Sequence, residues 1–466
     1  MYAIRLLSAI VAITTLFASH PVRERPTTQR LRLIVLTDIS SLTPGVREPD
    51  DGQSMIRLML YSNDLDIEGL IATSNMIHGQ VTRPELIREV VHAFSKIRPN
   101  LLLHSKEYPT ESYLLDRIKS GWPTAGPRLA VEESVGERKD TEGSNWIIRV
   151  VDRPDPRPVW VTIWGGSADL AQALWKVRRT RAPDKVVRFC EKLRVIAIND
   201  QDSTGPWIRT EFPDVWYEKR TFSYRGMYRG GDTSLVSSAW VEEHIHGHGA
   251  LGDLYPNYNG GDIWSNRLGP VRGIKEGDTP SFLSLIPNGL NDPNHPEWGG
   301  WGGRCVPDAG NPRHFVDTID PLSNSDRDPA PQMSTVYRWR AAFQADLQAR
   351  LDWCVKGYQD ANHPPAARIK GGMNRTVMSG SRIDLDARRS RDPDGNKLTY
   401  QWRQFKEAGT YRGDVVVRDA DTRTVNLLAP IVSKPETVQL ILTVTDNGNP
   451  PLRSYQRVIV TILPKP

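Results

Sequence analysis

The hydrophobic pattern of the chain changes its period about three quarters of the way along. From residue 31 to residue 202, short apolar runs alternate with segments whose apolar residues repeat at helical spacing. Residues 31–36, 159–164 and 193–198 are continuous apolar runs, which are typical of buried parallel strands. This alternation predicts an α/β domain with a mostly parallel, doubly wound or Rossmann-like sheet.

The remainder of this first part is less regular. Residues 101–104 and 281–286 resemble further short strands, and residues 83–95 and 335–355 predict helices. Residues 203–303 are otherwise rich in loops. We expect all of these segments to belong to the same α/β domain, spanning residues 30–360.

A linker at residues 362–367 separates this part from a C-terminal region with a different pattern. Beyond it, short runs typical of strands are separated by turn residues, which predicts an antiparallel β-sandwich at residues 366–466. The predicted strands are residues 381–385, 398–402, 424–428, 438–445 and 457–462.

The N-terminus has the features of a secretory signal peptide over residues 1–20. A weakly charged start with Arg5 is followed by an apolar segment at residues 6–18 and by the small residues Ala18 and Ser19. The apolar segment is too short for an ordinary membrane span, and an uncleaved anchor is the alternative. We therefore expect a secreted, extracellular protein with no membrane span after signal removal.

Composition narrows the range of partners. The net charge of +5 is small for 466 residues and the basic residues are dispersed, which argues against nucleic-acid binding. Fourteen Trp together with 36 Gly and 35 Pro indicate a loop-rich protein, and exposed Trp often contacts sugars. The three cysteines allow at most one intramolecular disulfide, which would leave one thiol.

Carboxylates follow the first predicted strand and begin the first predicted helix. Asp38 stands at the end of the strand, and Asp50 and Asp51 begin the helical pattern. In open α/β sheets these two positions face the crevice where ligands bind. Three carboxylates at one place repel each other unless shared protons or a cation offset their charge, and a hard cation such as Ca²⁺ would do so. The alternative is that Asp50 and Asp51 only cap the helix.

A second set of candidates follows the predicted strand at residues 281–286. Asp292 lies just after this strand, where an acid would face the same crevice, and His295 or Glu297 is a candidate general acid. Trp298 and Trp301 belong to a Trp-Gly-Gly repeat, which is either an aromatic wall beside the site or a packed turn.

The order strand, Thr37-Asp38, loop, Asp50-Asp51, helix resembles the N-terminal signature of calcium-dependent nucleoside hydrolases, although the loop is longer here. Asn75 resembles the asparagine of that family that contacts ribose. Trp164 precedes the glycines of a strand–glycine–helix segment, in which the family uses a main-chain carbonyl as a calcium ligand.

Two later positions also resemble the family. Glu211-Phe212 is similar to its ribose-binding Glu-Phe-Asn element, and Asp292 to its late calcium ligand. Two departures affect the leaving-group pocket. Asn291 stands where some members have a histidine that protonates the departing base, and Pro213 replaces the asparagine after Phe212.

The resemblance implies a Ca²⁺ cofactor and a set of site residues. The implied metal ligands are Asp38, Asp51, Asp292 and the carbonyl of Trp164, with Asp38 also as the catalytic base. The substrate-binding residues expected from the resemblance and from the second set of candidates are Asp50, Asn75, Glu211, Asn291, His295, Trp298 and Trp301.

The whole layout resembles secreted nucleoside hydrolase-like proteins with an immunoglobulin-like tail, some of which are described as cellulose-binding. The expected function is calcium-dependent hydrolysis of glycosidic or N-glycosidic bonds in a carbohydrate or a nucleoside-like small molecule. One alternative is a non-catalytic, secreted polysaccharide-binding protein that uses the Trp-rich face. Another is a cell-surface adhesion protein led by the β-sandwich.

Overall fold

The computed structural model describes residues 29–43, 49–73, 81–124, 126, 128–261, 268–322 and 331–465. The predicted signal peptide and Asn75 lie outside these residues. Among the helices of the described ranges, none is both long enough and apolar enough to cross a membrane.

The α/β part is built on an eight-stranded sheet, accompanied by a separate two-stranded hairpin. Its strands are β1 (Leu31–Thr37), β2 (Leu65–Ala72), β3 (Ile118–Ser120), β4 (Val159–Ile163), β5 (Leu193–Ile198), β6 (Trp216–Arg220), the hairpin strands β7 (Tyr258–Gly261) and β8 (Pro270–Gly273), β9 (Cys305–Asp308) and β10 (Asn311–Asp317). The order in the large sheet is β3-β2-β1-β4-β5-β6-β10-β9. All neighbouring strands are parallel except β9 and β10. The predicted mostly parallel sheet is confirmed.

Helices cover both faces of this sheet. They are α1 (Asp50–Leu60), α2 (Pro84–His104), α3 (Glu111–Leu115), α4 (Glu142–Val151), α5 (Ala168–Thr180), α6 (Pro183–Glu191), α7 (Thr204–Glu211), α8 (Ser238–His244), α9 (Gly249–Asp253), α10 (Thr279–Leu283), α11 (Ser334–Tyr337) and α12 (Arg340–Asp352). Alternate residues of β1 enter different cores: Leu33 packs with α1, α2 and α12, whereas Ile34 packs with α4 and α5. Burial on both faces explains the continuous apolar runs.

The strand order reverses at β1. The chain leaves β1 toward β2 on one side and returns to β4 on the other side. Leu36 of β1 pairs with Ile163 of β4, so the two strands end side by side. The crevice beyond such a reversal is the usual ligand site of open parallel sheets.

Two predicted strands are helical in the structure. Residues 101–104 form the last turn of α2, because Ile97 and Leu101 continue its buried stripe past Pro99. Residues 281–286 were predicted as a strand, but α10 occupies Thr279–Leu283, with Pro280 in its first turn. Proline is favoured there because that N–H has no partner in a helix.

The C-terminal part is a β-sandwich, as predicted. Its strands are β11 (Asn374–Met378), β12 (Arg382–Asp386), β13 (Thr399–Gln404), β14 (Thr424–Leu428), β15 (Glu436–Thr445) and β16 (Arg453–Leu463). One sheet has the order β11-β16-β15-β13 and the other pairs β12 with β14. Every pairing is antiparallel except β11 with β16. The strand β11 was missed in the sequence analysis.

The two parts of the chain share a hydrophobic cluster. Phe405, Ile441 and Tyr455 of the sandwich belong to the same buried cluster as α1 and α12. The Tyr455 ring lies edge-on to Trp339, with the ring centres 5.9 Å apart. The sandwich is therefore packed against the α/β part through apolar side chains.

Cys190, Cys305 and Cys354 are all buried free thiols, so the single disulfide that the sequence allows does not form. Burial raises the pKa of the Cys190 thiol to about 12, and it raises the pKa values of Cys305 and Cys354 as well. All three sulfurs are therefore protonated at neutral pH.

Candidate functional site

The ends of β1 and β4 bring Asp38 against the backbone of Gly165. The N–H of Trp164 donates to the carbonyl of Leu36 over 2.8 Å, which continues the strand pairing by one residue. A Cβ built on Gly165 would lie 2.6 Å from the Cβ of Asp38. Real Cβ atoms do not approach so closely, so this close approach requires glycine.

The first turn of α1 supplies two more carboxylates. Asp50 and Asp51 occupy it after Pro49, and the helix has no side-chain cap. Pro49 is the N-cap, so neither Asp supplies a side-chain cap, although both lie in the first turn, where acids favour the helix dipole. Asp51 instead accepts a hydrogen bond from the hydroxyl of Thr37 and has Asp38 as a hydrogen-bonding neighbour.

A third element, the loop between β8 and α10, brings Asp278 to the same place. Carboxylate oxygens of Asp50, Asp51 and Asp278 lie within 4.8 Å of one another. Asp278 is 2 % exposed, and its Oδ2 is buried with no hydrogen-bond donor among the described residues. A buried carboxylate oxygen without a donor is costly unless a cation or proton occupies it.

Burial and neighbouring charges raise the pKa values of Asp51 and Asp278. Burial and the charge of Asp50 raise the pKa of Asp51 to about 7. Burial and the charges of Asp51, Asp50 and Asp38 raise the pKa of Asp278 well above its ordinary value. Among the described residues, Lys275 is the basic side chain recorded against the group, with its Nζ 3.4 Å from Asp50 Oδ2. The clustered carboxylates offer oxygen donors and negative charge, which suit a hard divalent cation.

Hydrogen bonds fix this loop along α1. The Gln53 side chain accepts from the N–H of Lys275 at 2.7 Å and donates to the carbonyls of Pro256 and Gly273 at 2.7 and 2.9 Å. Thr279 Oγ1 and Ser54 Oγ are hydrogen-bonded to each other over 3.1 Å. The position of Asp278 is therefore set by the helix that carries Asp50 and Asp51.

Trp164 lies beside the group, as its sequence position suggested. Its indole Nε1 donates to Ser281 Oγ over 2.9 Å, and its carbonyl accepts from the side-chain amide of Gln201. The ring is fully buried. The predicted role of the carbonyl as a metal ligand stays a prediction.

Asp292 is not part of this carboxylate group. It lines a separate cavity under α10 together with Asn291, His295 and the buried pair Glu218–Arg220, whose charged atoms are 2.9 Å apart. Asp292 was expected at the crevice because the pattern of residues 281–286 predicts a strand that ends there. In the structure Asp278, at the start of α10, occupies the place predicted for Asp292.

Asn291 uses its side-chain amide to shape this loop. Its Nδ2 donates to the carbonyls of Leu283 and Ile286 at 2.7 and 2.8 Å, and its Oδ1 accepts from the N–H of Trp301 at 3.0 Å. These bonds occupy the amide, which supports a structural role in place of the substrate contact predicted for it.

The predicted aromatic wall is mostly buried. Trp301 is 1 % exposed, so it is a core residue and the packed-turn interpretation fits it. Trp298 is partly exposed and stacks on His295, with ring centres 3.7 Å apart. His295 Nδ1 lies 2.9 Å from the Glu297 carboxylate.

Glu211 lies away from the carboxylate group. It ends α7, and its carboxylate is 2.9 Å from the Arg178 guanidinium near the end of α5. Helices that follow parallel strands run back toward the opposite edge of the sheet, so their C-terminal ends lie far from the crevice. The ribose contact predicted for Glu211 does not fit this position.

The sequence analysis missed Asp278 and Lys275. Both lie in the stretch Lys275-Glu276-Gly277-Asp278, which ends two residues before Pro280. An acid shortly before a proline that opens a helix is the local signal at this position.

Two family descriptions match the chain. "Cellulose-binding Sde182, nucleoside hydrolase-like domain" matches residues 32–305, and "Cellulose-binding protein Sde0182, C-terminal domain" matches residues 382–462. No curated protein matches.

Among solved structures, a nucleoside hydrolase-related hypothetical protein from Saccharophagus degradans, associated with carbohydrate metabolism, is 32% identical. The match covers 93% of this chain and 100% of that one, with a TM-score of 0.78. The PKD domain of the KIAA 1837 protein is 21% identical over 22% of this chain and 92% of that one. Its TM-score of 0.17 is too low to support an argument.

Proposed function

Because this chain belongs to the cellulose-binding Sde182 family with a nucleoside hydrolase-like domain, we propose that it is a calcium-dependent hydrolase of glycosidic or N-glycosidic bonds. The observation that carries the proposal is the buried, unpaired Oδ2 of Asp278 beside Asp50 and Asp51. A carboxylate group at the reversal of a parallel sheet is the arrangement expected of a metal-assisted hydrolase.

The residues that would hold the ion are Asp51 and Asp278, with Asp38, Asp50 and the Trp164 carbonyl next to them. Calcium binds carboxylate and carbonyl oxygens, so the donor set fits it. When bound, the ion supplies a positive charge that lowers the pKa of a coordinated water and orients sugar hydroxyls.

The protein's own contribution is proton transfer and positioning. We assign Asp38 as the base: a carboxylate oxygen accepts the proton of the water whose oxygen bonds to the anomeric carbon, while the bond to the leaving group breaks. We propose that Asp50, which is 3.4 Å from Lys275 Nζ, accepts hydrogen bonds from sugar hydroxyls. The leaving group takes its proton from solvent water, because His295, the candidate acid from the sequence, lies in the separate cavity.

The substrate class we propose is a carbohydrate or a nucleoside-like glycoside met outside the cell. The family description names cellulose, and residues 1–20 resemble a secretory signal, which supports this proposal. A polysaccharide partner, with a small glycoside cleaved at the carboxylate group, is consistent with both.

The test is hydrolysis of a panel of nucleosides and aryl glycosides by the full chain, with calcium or with EDTA. We expect turnover that EDTA abolishes and calcium restores, and a loss of at least about 100-fold in Asp38→Asn and Asp278→Asn. Asp421→Asn, at an exposed turn of the sandwich, is the matched control and should keep full activity. Full activity of Asp278→Asn, or activity indifferent to EDTA, would overturn the proposal.

A second candidate is a non-catalytic polysaccharide-binding protein, which the cellulose-binding descriptions of both matched families favour. Retention on insoluble cellulose distinguishes the two. Equal retention of the wild type and Asp278→Asn, with no turnover of any panel member by either, would favour this candidate over the hydrolase.

A further inference from the structure

A second group of carboxylates lies where the linker joins the β-sandwich. Asp392 and Asp394 lie in the connection between β12 and β13, and Asp446 directly follows β15. Both turns contact the linker, because Asn362 Nδ2 donates to Asp446 Oδ1 at 3.1 Å and His363 Nδ1 lies 2.9 Å from Asp394 Oδ1.

Asp446 has one oxygen fully used and one without a partner. Its Oδ1 accepts from the N–H groups of Gly448 and Leu452 at 3.0 and 2.9 Å, besides the bond from Asn362. The side chain is 4 % exposed, yet its Oδ2 is buried with no donor among the described residues. An ordinary turn aspartate explains the first oxygen and leaves the second unexplained.

Asp392 repeats this arrangement. Its Oδ1 accepts from the N–H groups of Asp394 and Asn396, both at 2.9 Å, and its Oδ2 is buried and unpaired in the same sense. The pKa of Asp392 is raised by burial and then by the charges of Asp446 and Asp394, so the carboxylates are electrostatic neighbours. Within the described ranges, the only other carboxylate oxygen left in this way belongs to Asp278.

We propose that Asp392 and Asp446 form a second divalent-cation site, with calcium as the fitting ion, at the junction of the linker and the sandwich. Two buried carboxylate oxygens from separate turns, each with its sister oxygen fixed by backbone N–H groups, are preorganised donors for a hard cation. Asn362 brings the linker to the same point, because it also accepts from Asn396 Nδ2 at 2.9 Å and donates to Pro450 O at 2.8 Å. An ion here would fix the linker to both turns.

The test is calorimetric titration of the full chain with CaCl₂. We expect two ions per wild-type chain, one in Asp278→Asn, one in Asp446→Asn and none in the double variant. Asparagine keeps the accepting Oδ1 of residue 446 and removes only the negative, unpaired oxygen. Asp421→Asn is the control and should bind two ions.

The variants test the junction site and the site at Asp278 independently. Equal calcium binding by Asp278→Asn and the double variant, or no binding by Asp278→Asn, overturns the junction site. Loss of one ion in Asp446→Asn but none in Asp278→Asn supports the junction site and counts against the proposed hydrolase. If Asp446→Asn does not fold, as its circular dichroism would reveal, Asp392→Asn takes its place with the same expected result.

Discussion

The guanidinium of Arg57 and the carboxylate of Glu276 lie 2.5 Å apart, and both side chains are fully buried. Arg57 belongs to α1, six residues after Asp51, and Glu276 lies two residues before Asp278. Glu276 also accepts from the Tyr255 hydroxyl at 2.6 Å and from Thr279 Oγ1 at 2.9 Å. This ion pair therefore joins the two elements that carry the candidate metal ligands.

Removing the Arg57 guanidinium should strongly lower the free energy of unfolding. Arg57→Met leaves Glu276 buried without its cation, which costs about 3–5 kcal/mol of unfolding free energy, and it should weaken calcium binding at Asp278. Urea denaturation of the calcium-free chain measures the first effect, and calorimetry the second. Arg188→Met breaks the exposed ion pair with Asp184 and should cost less than about 1 kcal/mol. Similar losses in the two variants would contradict the linking role of Arg57.

The raised pKa of Asp51 predicts how stability depends on pH. The folded, calcium-free chain keeps this proton up to about pH 7, whereas the unfolded chain releases it near the ordinary value of 3.8. The folded state therefore binds more protons in that window, and the free energy of unfolding should fall as pH rises from about 4 to 7. The raised pKa of Asp278 acts in the same direction.

Calcium should reverse this trend, because it competes with the protons. Its affinity should rise about tenfold per pH unit for each proton displaced below pH 7. The measurement is the melting temperature from pH 5 to pH 8, with calcium or EDTA. Asp51→Asn should flatten the fall of the EDTA curve. An equal calcium-induced rise at pH 5 and pH 8 would contradict the prediction.

Arg457 of β16 supports the loop that contains Asn291 from the sandwich side. Its guanidinium donates to the carbonyls of Leu290, Trp298 and Gly299 at 3.0, 3.1 and 2.9 Å. Arg457→Met leaves these carbonyls buried without a donor and should cost about 3 kcal/mol.

Urea denaturation measures this cost, and hydrogen exchange should show faster exchange around residues 288–300. The exposed Arg389 offers a matched control, because Arg389→Met should change neither measurement. Unchanged exchange in Arg457→Met would show that the loop holds its shape without the sandwich.

Trp301 and His295 should behave differently on substitution. Trp301→Ala empties a fully buried position and should cost about 3–5 kcal/mol. His295→Ala removes a partly exposed ring stacked on Trp298 and should cost less than about 1.5 kcal/mol. Thermal or urea unfolding distinguishes them. If Trp301→Ala loses little stability but is retained less on cellulose, Trp301 would instead belong to a ligand-binding surface.

Candidate residues at the ends of regular elements could be proposed from the sequence. Asp38 and Asp51 were proposed because the strand before Asp38 and the helix that begins at Asp50 have clear hydrophobic patterns. Asp278 was missed because its loop has no period of its own and is placed by contacts with Gln53, 222 residues away from Lys275. Such contacts between distant segments leave no local trace in a single sequence.

The errors have a similar origin. Asp292 was assigned to the crevice because the apolar residues before it fit a strand as well as the short helix α10, and the proline in the first turn decides for the helix. Glu211 matched a local motif, but the length and direction of α7 carry it to the other edge of the sheet. Short motifs outside regular elements therefore indicate which residue types are present, but they do not predict where those residues lie in the fold.

The three buried, unpaired thiols determine how the protein responds to its redox environment. Since each sulfur is buried and protonated, none offers a nucleophile for exchange with glutathione or with another chain. The stability of the fold therefore does not depend on an oxidant or a reductant. The same native state is thus available in an oxidising and in a reducing medium, without help from a disulfide isomerase.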